Sequence, residues 1–132
     1  MSSPAFPDDG ILWRGFNDDT LRIISERQNP VLLFVRDTDP LVWPFLREIF
    51  KTLPKNERLR DLLHERCVAV YAEVETLPEE QKQLGAGSRY FIAILSPFGL
   101  TPLVTVDPMG GTPTEIAERI AALLARIMET WA

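Results

Sequence analysis

Two hydrophobic patterns alternate along this chain, and together they predict a sheet covered by helices. Uninterrupted or alternating runs of apolar, β-branched and aromatic residues predict strands. The four runs are residues 31–35, 67–74, 90–95 and 103–106. The first is apolar throughout, which is typical of a strand buried on both faces at the centre of a sheet.

Apolar residues three and four positions apart predict helices around these strands. The first helix spans residues 18–27 and is capped by Asn17 or Asp18. The second is opened by Pro40 or Pro44, because proline suits the first turn of a helix. Its apolar side, which includes Phe45 as a core residue, consists of Phe45, Leu46, Ile49, Phe50 and Leu53.

Three further helices are predicted from their caps. Asn56 begins a helix that ends near residue 66, and Thr76 with Glu79 forms a capping box for a short helix ending near Gly85. Thr112 caps the last helix, together with Pro113 at its first position and Glu115 at its third. The apolar stripe of this helix consists of Ile116, Ile120, Leu123, Leu124 and Ile127.

The order of these elements predicts the fold class. A strand, a helical crossover and a second strand form a parallel pair. The turn at residues 96–99 is short enough to make the last two strands an antiparallel hairpin. The result is an α/β domain with a four-stranded mixed sheet and helices on both faces, which is the thioredoxin arrangement.

Length and charge narrow the possible functions. The 132 residues suit one domain, with residues 11–132 as its body and residues 1–10 as a flexible lead-in. A net charge of −5 disfavours nucleic acid and anionic membranes as partners. Cys67 is the single cysteine, so no disulfide forms within the chain, and a reducing compartment, the cytoplasm, is expected.

Three segments resemble the bacterial thioredoxin-like domains related to the spermatogenesis-associated thioredoxin-like family. Trp13 followed by residues 29–33 is similar to the family's entry into its first strand. Residues 59–74 are similar to its helix and acidic-ended second strand, and residues 95–99 to its hairpin turn. The resemblance spans roughly residues 11–124 and implies a thioredoxin-like fold.

Two departures from this family bear on function. Active relatives carry Cys-x-x-Cys at the start of the helix after the first strand, where residues 37–44 hold no cysteine. They also carry a cis-proline before the third strand, a place that falls here on Tyr90 or Phe91. The resemblance therefore implies a protein that has lost its redox site, and we predict that it is not an enzyme and needs no cofactor.

Protein binding is the function that this leaves foremost. In a thioredoxin fold, the helix start and the loop before the third strand form the groove where partner peptides dock. We expect a partner-binding surface of exposed aromatic residues there. Its predicted members are Asp39, Trp43, Tyr90, Phe91 and Phe98. Strand alternation requires Tyr90 or Phe91 to point inward.

We expect several other candidate residues to have structural roles only. Asp37 and Asp39 are expected to end the strand and cap the following helix, and His64 to lie near a helix end without binding metal. Gly110 and Gly111 are expected to be a flexible entry to the last helix, since no other part of a phosphate-binding loop is present. The basic residues Arg58, Arg60 and Arg66 alternate with acidic neighbours, so ion pairs are expected along that helix.

Two alternative functions stay open. Cys67 could be the nucleophile of a single-thiol enzyme, although a cysteine at the start of a buried strand is usually a small core residue with a raised pKa. The aromatic surface could instead pair with itself in a homodimer or a larger structural assembly.

Overall fold

A five-stranded mixed sheet forms the centre of the protein. The computed structural model describes residues 11–37, 41–85 and 89–131. Its strands are β1 (Trp13–Arg14), β2 (Val31–Arg36), β3 (Val68–Glu73), β4 (Phe91–Leu95) and β5 (Pro102–Val106). They lie in the order β1-β3-β2-β4-β5. Strands β1 and β2 run parallel to β3, whereas β4 is antiparallel to β2 and to β5.

The four predicted strands are confirmed, and the count of four is wrong by one. The extra strand β1 is only two residues long and pairs Trp13 with Ala69 and Arg14 with Val70. Two residues are too few to display an alternating pattern, so its pairing depends on the neighbouring strand rather than on its own sequence. The predicted hairpin is confirmed by the antiparallel pairing of β4 with β5.

Five α-helices surround the sheet in the described part of the chain. They are α1 (Asp18–Arg27), α2 (Trp43–Thr52), α3 (Glu57–Glu65), α4 (Glu79–Lys82) and α5 (Pro113–Trp131). Short 3₁₀ turns at Leu53–Lys55, Val74–Thr76 and Gln83–Gly85 connect some of them.

Three predicted helix caps are confirmed by hydrogen bonds. The Asn17 Oδ1 accepts from the backbone N–H of Thr20 at 3.0 Å, and the Asn56 Oδ1 accepts from Leu59 at 3.0 Å. At α5, Thr112 Oγ1 accepts from the Glu115 N–H at 3.2 Å while Glu115 Oε1 accepts from the Thr112 N–H at 2.9 Å. This reciprocal pair is a complete capping box.

Two other predictions about helix starts are corrected. The capping box of Thr76 and Glu79 does not form, since Pro78 is the N-cap of α4 and Thr76 Oγ1 donates to the Glu73 carbonyl at 2.8 Å instead. Helix α2 has Pro44 in its first turn, as predicted, but its N-cap residue, Val42, makes no side-chain capping bond. Pro40, the alternative opening residue, lies outside the described residues.

The ion pairs expected along α3 are not present. In the described ranges, the ion pairs join Arg22 to Asp19, Lys82 to Glu79 and Arg89 to two carboxylates, so Arg58, Arg60 and Arg66 form none. Exposed pairs of this kind contribute only about 0.3–0.5 kcal/mol each, too little to hold long side chains together in water.

The core has one layer on each side of the sheet. Leu32 and Phe34 of β2 pack with α2, α3 and α5, while Val31, Leu33 and Val35 face α1 and the segment around α4. All five side chains are at most 1% exposed. Helices on both faces of a mixed sheet are therefore confirmed, and β2 is the central strand.

Candidate functional site

Three segments meet at the end of the sheet where β2 and β3 finish. Helix α2 begins there, and the antiparallel β4 starts there because Phe91 pairs with Val35. Strand β5 runs toward the same end and continues into the loop at residues 107–112 before α5. This end therefore combines residues that are distant in sequence.

An apolar hollow lies between the first turns of α2 and the loop before α5. Its volume is about 360 Å³. Its lining has one charged side chain, Glu48, and is otherwise formed by apolar residues and a glycine. The lining residues are Pro44, Phe45, Glu48, Ile49, Pro108, Met109, Gly111 and Pro113. We call this feature the α2 hollow.

Phe45 is the most exposed ring of this hollow, which corrects its predicted place in the core. Its side chain is 62% exposed, whereas Leu46, Ile49 and Phe50 are buried as predicted. On a helix, Phe45 lies about 100° from Leu46, so both rows cannot face the sheet equally. Met109 across the hollow is 43% exposed, so two large apolar side chains face solvent together.

Trp43, a predicted contact residue, lies half-buried at the start of α2. The guanidinium carbon of Arg36 is 3.7 Å from the centre of its ring. Arg36 Nη1 also donates to the Tyr71 hydroxyl at 3.2 Å, and burial raises the pKa of Tyr71. Arg36 Nε is buried with no hydrogen-bond partner in the described part of the chain.

Tyr90 and Phe91 resolve the alternation in favour of Phe91 as the inward residue. Phe91 is 4% exposed, and a Cβ on Gly85 would lie only 2.6 Å from its ring, so the ring is enclosed. Phe91 is therefore not one of the exposed aromatic residues expected at this surface. Tyr90 is half-buried and lines a second hollow of about 320 Å³ together with Leu84 and Thr105. We call this the β5 hollow.

Phe98 is exposed, but it does not belong to this end of the molecule. It lies in the turn after β4, beside Arg27 and Gln28 at the end of α1. Because β4 is antiparallel to β2, its last residue pairs with Val31 at the start of β2. The turn therefore lies a full strand length from Trp43, and the predicted grouping is wrong.

The two aspartates have separate outcomes. Asp39 lies outside the described residues. Asp37 is buried and accepts from Arg89 Nε at 3.3 Å, and Arg89 also pairs with Glu75. Asp37 thus ends the strand as predicted, and Val42 rather than Asp37 is the N-cap residue of α2.

The remaining polar candidates have structural positions. Cys67 is 3% exposed, and burial raises the pKa of its thiol to about 12. His64 is exposed on α3, and within the described ranges no three His, Cys, Asp or Glu side chains are placed to hold a metal. At the turn before α5, Arg119 Nη2 donates to the Gly110 carbonyl at 3.3 Å.

Sequence reasoning missed Phe45 and Met109 as surface residues. Phe45 belongs to an apolar stripe that is otherwise buried, so its type and spacing gave no sign of exposure. Met109 does carry a signal, since an apolar side chain between Pro108 and Gly110 stands in a turn where no core position is predicted.

Comparison with known proteins identifies the fold alone. No protein-family profile matches this chain, and no curated protein matches its sequence. Among solved structures that do match is a DsbH oxidoreductase, with a TM-score of 0.57 and 14% sequence identity over 95% of this chain and 91% of that one. The chain therefore has a thioredoxin-like fold. In the described residues, no helix is both long and apolar enough to cross a membrane.

Proposed function

We propose that this protein is a non-catalytic, thioredoxin-like binding module that acts as an accessory, assembly or regulatory factor for another protein. The observation that carries the proposal is the α2 hollow, where Phe45 and Met109 expose apolar surface across a cavity of about 360 Å³. Contiguous exposed apolar surface with polar residues around it is typical of a binding site.

Thiol chemistry has no suitable group in this chain. Cys67 is the single cysteine, it is 3% exposed, and the pKa of about 12 keeps it protonated near neutral pH. The thiolate is the reactive form, so a thiol of this kind is inert. We further propose a relationship to the spermatogenesis-associated thioredoxin-like family, with its cysteine pair and cis-proline lost, and a place in the cytoplasm.

The lining of the α2 hollow indicates what kind of partner would fit. A partner should insert an apolar side chain between Phe45 and Met109, since desolvating that surface is favourable. Glu48 is the one charged residue of the lining, and the chain carries a net charge of −5. A basic residue beside the inserted side chain would therefore be favoured over an acidic one.

Comparative capture from an extract tests this proposal. The baits are the unaltered protein, a Phe45→Ala/Met109→Ala variant, and an Arg126→Ala control whose substitution lies on the exposed side of α5. We expect a protein that binds the first and third baits and is lost from the second. Identical captures on all three baits would show that the α2 hollow is not the binding site.

A further inference from the structure

The outer edge of β5 is open in the described part of the chain. Strand β5 pairs with β4 on one side and stands last in the sheet order. It is also the least buried strand, since Pro102, Leu103 and Thr105 are all exposed. An edge strand presents unpaired backbone N–H and C=O groups that can pair with another strand.

This edge lies in the longest uncharged segment of the chain. Residues 90–106 contain no Asp, Glu, Lys or Arg, although charged residues make up 25% of the sequence. Proteins commonly protect an exposed edge with lysine or another charge, and β5 has none. Its protection consists of Pro102 and of a register shift that makes Leu103 an extra residue, since Val104 is opposite Ile94 and Pro102 is opposite Leu95. Residues 104–106 keep a regular register on β4.

We propose that β5 pairs with β5 of a second copy of this chain, antiparallel and about a two-fold axis. Two copies that each carry a net charge of −5 repel each other wherever their surfaces are acidic. An uncharged edge is where they can approach without that repulsion. An antiparallel strand pair is also self-complementary, so the contact closes as a dimer instead of continuing as a fibre.

The side chains of β5 define the register of this pair. Val104 and Val106 pack on the α5 side of the sheet, so Thr105 between them faces the other side. Leu103 faces that side too, because the register shift sets Pro102 and Leu103 together opposite Leu95, which packs on the α1 side. A two-fold axis normal to the sheet keeps every side chain on its own face of the sheet. Residues directly opposite each other in an antiparallel pair also share a face, so the axis must lie between two copies of the same residue and not between two peptide bonds. An axis at Val104 pairs Leu103 with Thr105 of the second copy. The paired segment is then residues 102–106, and Asp107 is not part of it.

In this register, the exposed Leu103 of one copy lies next to the β5 hollow of the other copy. Thr105 lines that hollow together with Leu84 and Tyr90, and its volume is about 320 Å³. In the Val104-centred register, Leu103 of the second copy stands directly beside Thr105. Side chains of such cross-strand pairs lie about 5 Å apart, within reach of the hollow. Leu103 is 42% exposed in the single chain, and the dimer would cover the Leu103 side chain of both copies.

Sedimentation velocity over protomer concentrations from about 1 µM to 1 mM tests the dimer. We expect a reversible dimer in the full chain. Leu103→Lys and Thr105→Lys should each raise the dissociation constant by about ten-fold or more, because every substitution places two unpaired charges at the pair. Ala122→Lys is the matched control, since it adds the same charge at an exposed position of α5 and should leave association unchanged.

Crosslinking tests the register separately. In a Cys67→Ala background, Val104→Cys should form a disulfide-linked dimer under mild oxidation, because the two sulfurs would face each other at the axis. Ala122→Cys should not. A monomer at all concentrations would overturn the proposal, as would a dimer that is unaffected by both lysine variants. A dimer lost in Phe45→Ala but kept in Leu103→Lys would also overturn it and place the contact at the α2 hollow.

Discussion

Cys67 lies next to the start of β3 with 3% of its surface exposed, and its sulfur is 3.9 Å from the Val68 carbonyl oxygen. Burial raises the pKa of its thiol from 9.0 to about 12. The charged form is disfavoured because the surrounding apolar side chains cannot solvate it. The sequence predicted this environment correctly, since a cysteine at the head of a β-branched strand is a core position.

The raised pKa predicts how stability depends on alkaline pH. Above pH 9 the unfolded chain releases the thiol proton while the folded chain keeps it, so the unfolded state binds fewer protons and stability falls as pH rises. The free energy of unfolding should drop by roughly 1 kcal/mol per pH unit between pH 9 and 12 from this group. Urea titrations measure this.

The matched control for this experiment is Cys67→Ala. It lacks the thiol but keeps every other titrating group, including Tyr71, whose pKa is also raised. The pH-dependent difference between the two proteins should therefore isolate Cys67. Parallel curves for both proteins above pH 9 would mean that the thiol is solvated in the folded state, and would reopen a reactive role for it.

Phe45 and Ile49 provide a second comparison of single residues. Both belong to the predicted apolar stripe of α2, but Phe45 is 62% exposed and Ile49 is 3% exposed. Ile49→Ala should cost ~2–5 kcal/mol of unfolding free energy, the range for truncating a buried aliphatic side chain. Phe45→Ala should stay within about 0.5 kcal/mol of the unaltered protein. Equal losses would show that Phe45 is a core residue.

The capping motifs show where element prediction succeeds and where it fails. Thr112 and Thr76 are each followed by a glutamate three residues later, yet the box forms at Thr112 alone. After Thr112, Pro113 starts a long amphipathic helix. After Thr76, the chain enters Pro78, which itself becomes the N-cap of a helix only four residues long. The capping box therefore forms where the helix begins directly after the threonine, as α5 does at Pro113, and not where it begins later, as α4 does at Glu79.

Removing the cap of α5 should destabilise the protein modestly. Thr112→Ala deletes the hydroxyl that accepts from the Glu115 N–H, and it should cost ~1 kcal/mol of unfolding free energy. Thr114→Ala is the matched control, because Thr114 is exposed in the same turn and outside the box. Chemical denaturation measures both. A loss at Thr112 no larger than at Thr114 would show that the box does not stabilise α5 in solution.

The packing of α5 on the sheet is testable at the same scale. Leu124 is fully buried against the α2 side of the core. Leu124→Ala should cost ~2–5 kcal/mol, whereas Arg126→Ala, on the exposed side, should change stability by about 0.5 kcal/mol or less. A loss below about 1 kcal/mol at Leu124 would mean that α5 does not pack as described.

For the molecule as a whole, sequence patterns predicted the sheet better than the candidate site. Strand runs such as residues 31–35 are long and uniform, so their burial is readable from the chain. The site joins the start of α2 to the loop before α5, segments about 60 residues apart, and its exposure depends on which side of each element faces the sheet. That is why Trp43 was placed at the correct end of the sheet while Phe98 was assigned to the wrong one.

The absence of reductase activity is the corresponding prediction for the whole molecule. With dithiothreitol and insulin, the protein should not accelerate disulfide reduction, because its one thiol is buried and has no partner thiol in the chain. Turbidity measurements follow the reaction. Activity above the dithiothreitol background that is lost in Cys67→Ser would favour a single-thiol enzyme over a binding module.

Calorimetric titration of the captured partner tests the central claim, that this thioredoxin-like protein acts by binding at the α2 hollow. Phe45→Ala should weaken binding by about thirty-fold, equivalent to ~2 kcal/mol, since exposed rings beside a hollow are typical hot spots. Arg126→Ala should leave the affinity unchanged, and both variants should keep the thermal stability of the unaltered protein. Equal affinities for all three proteins would contradict the claim.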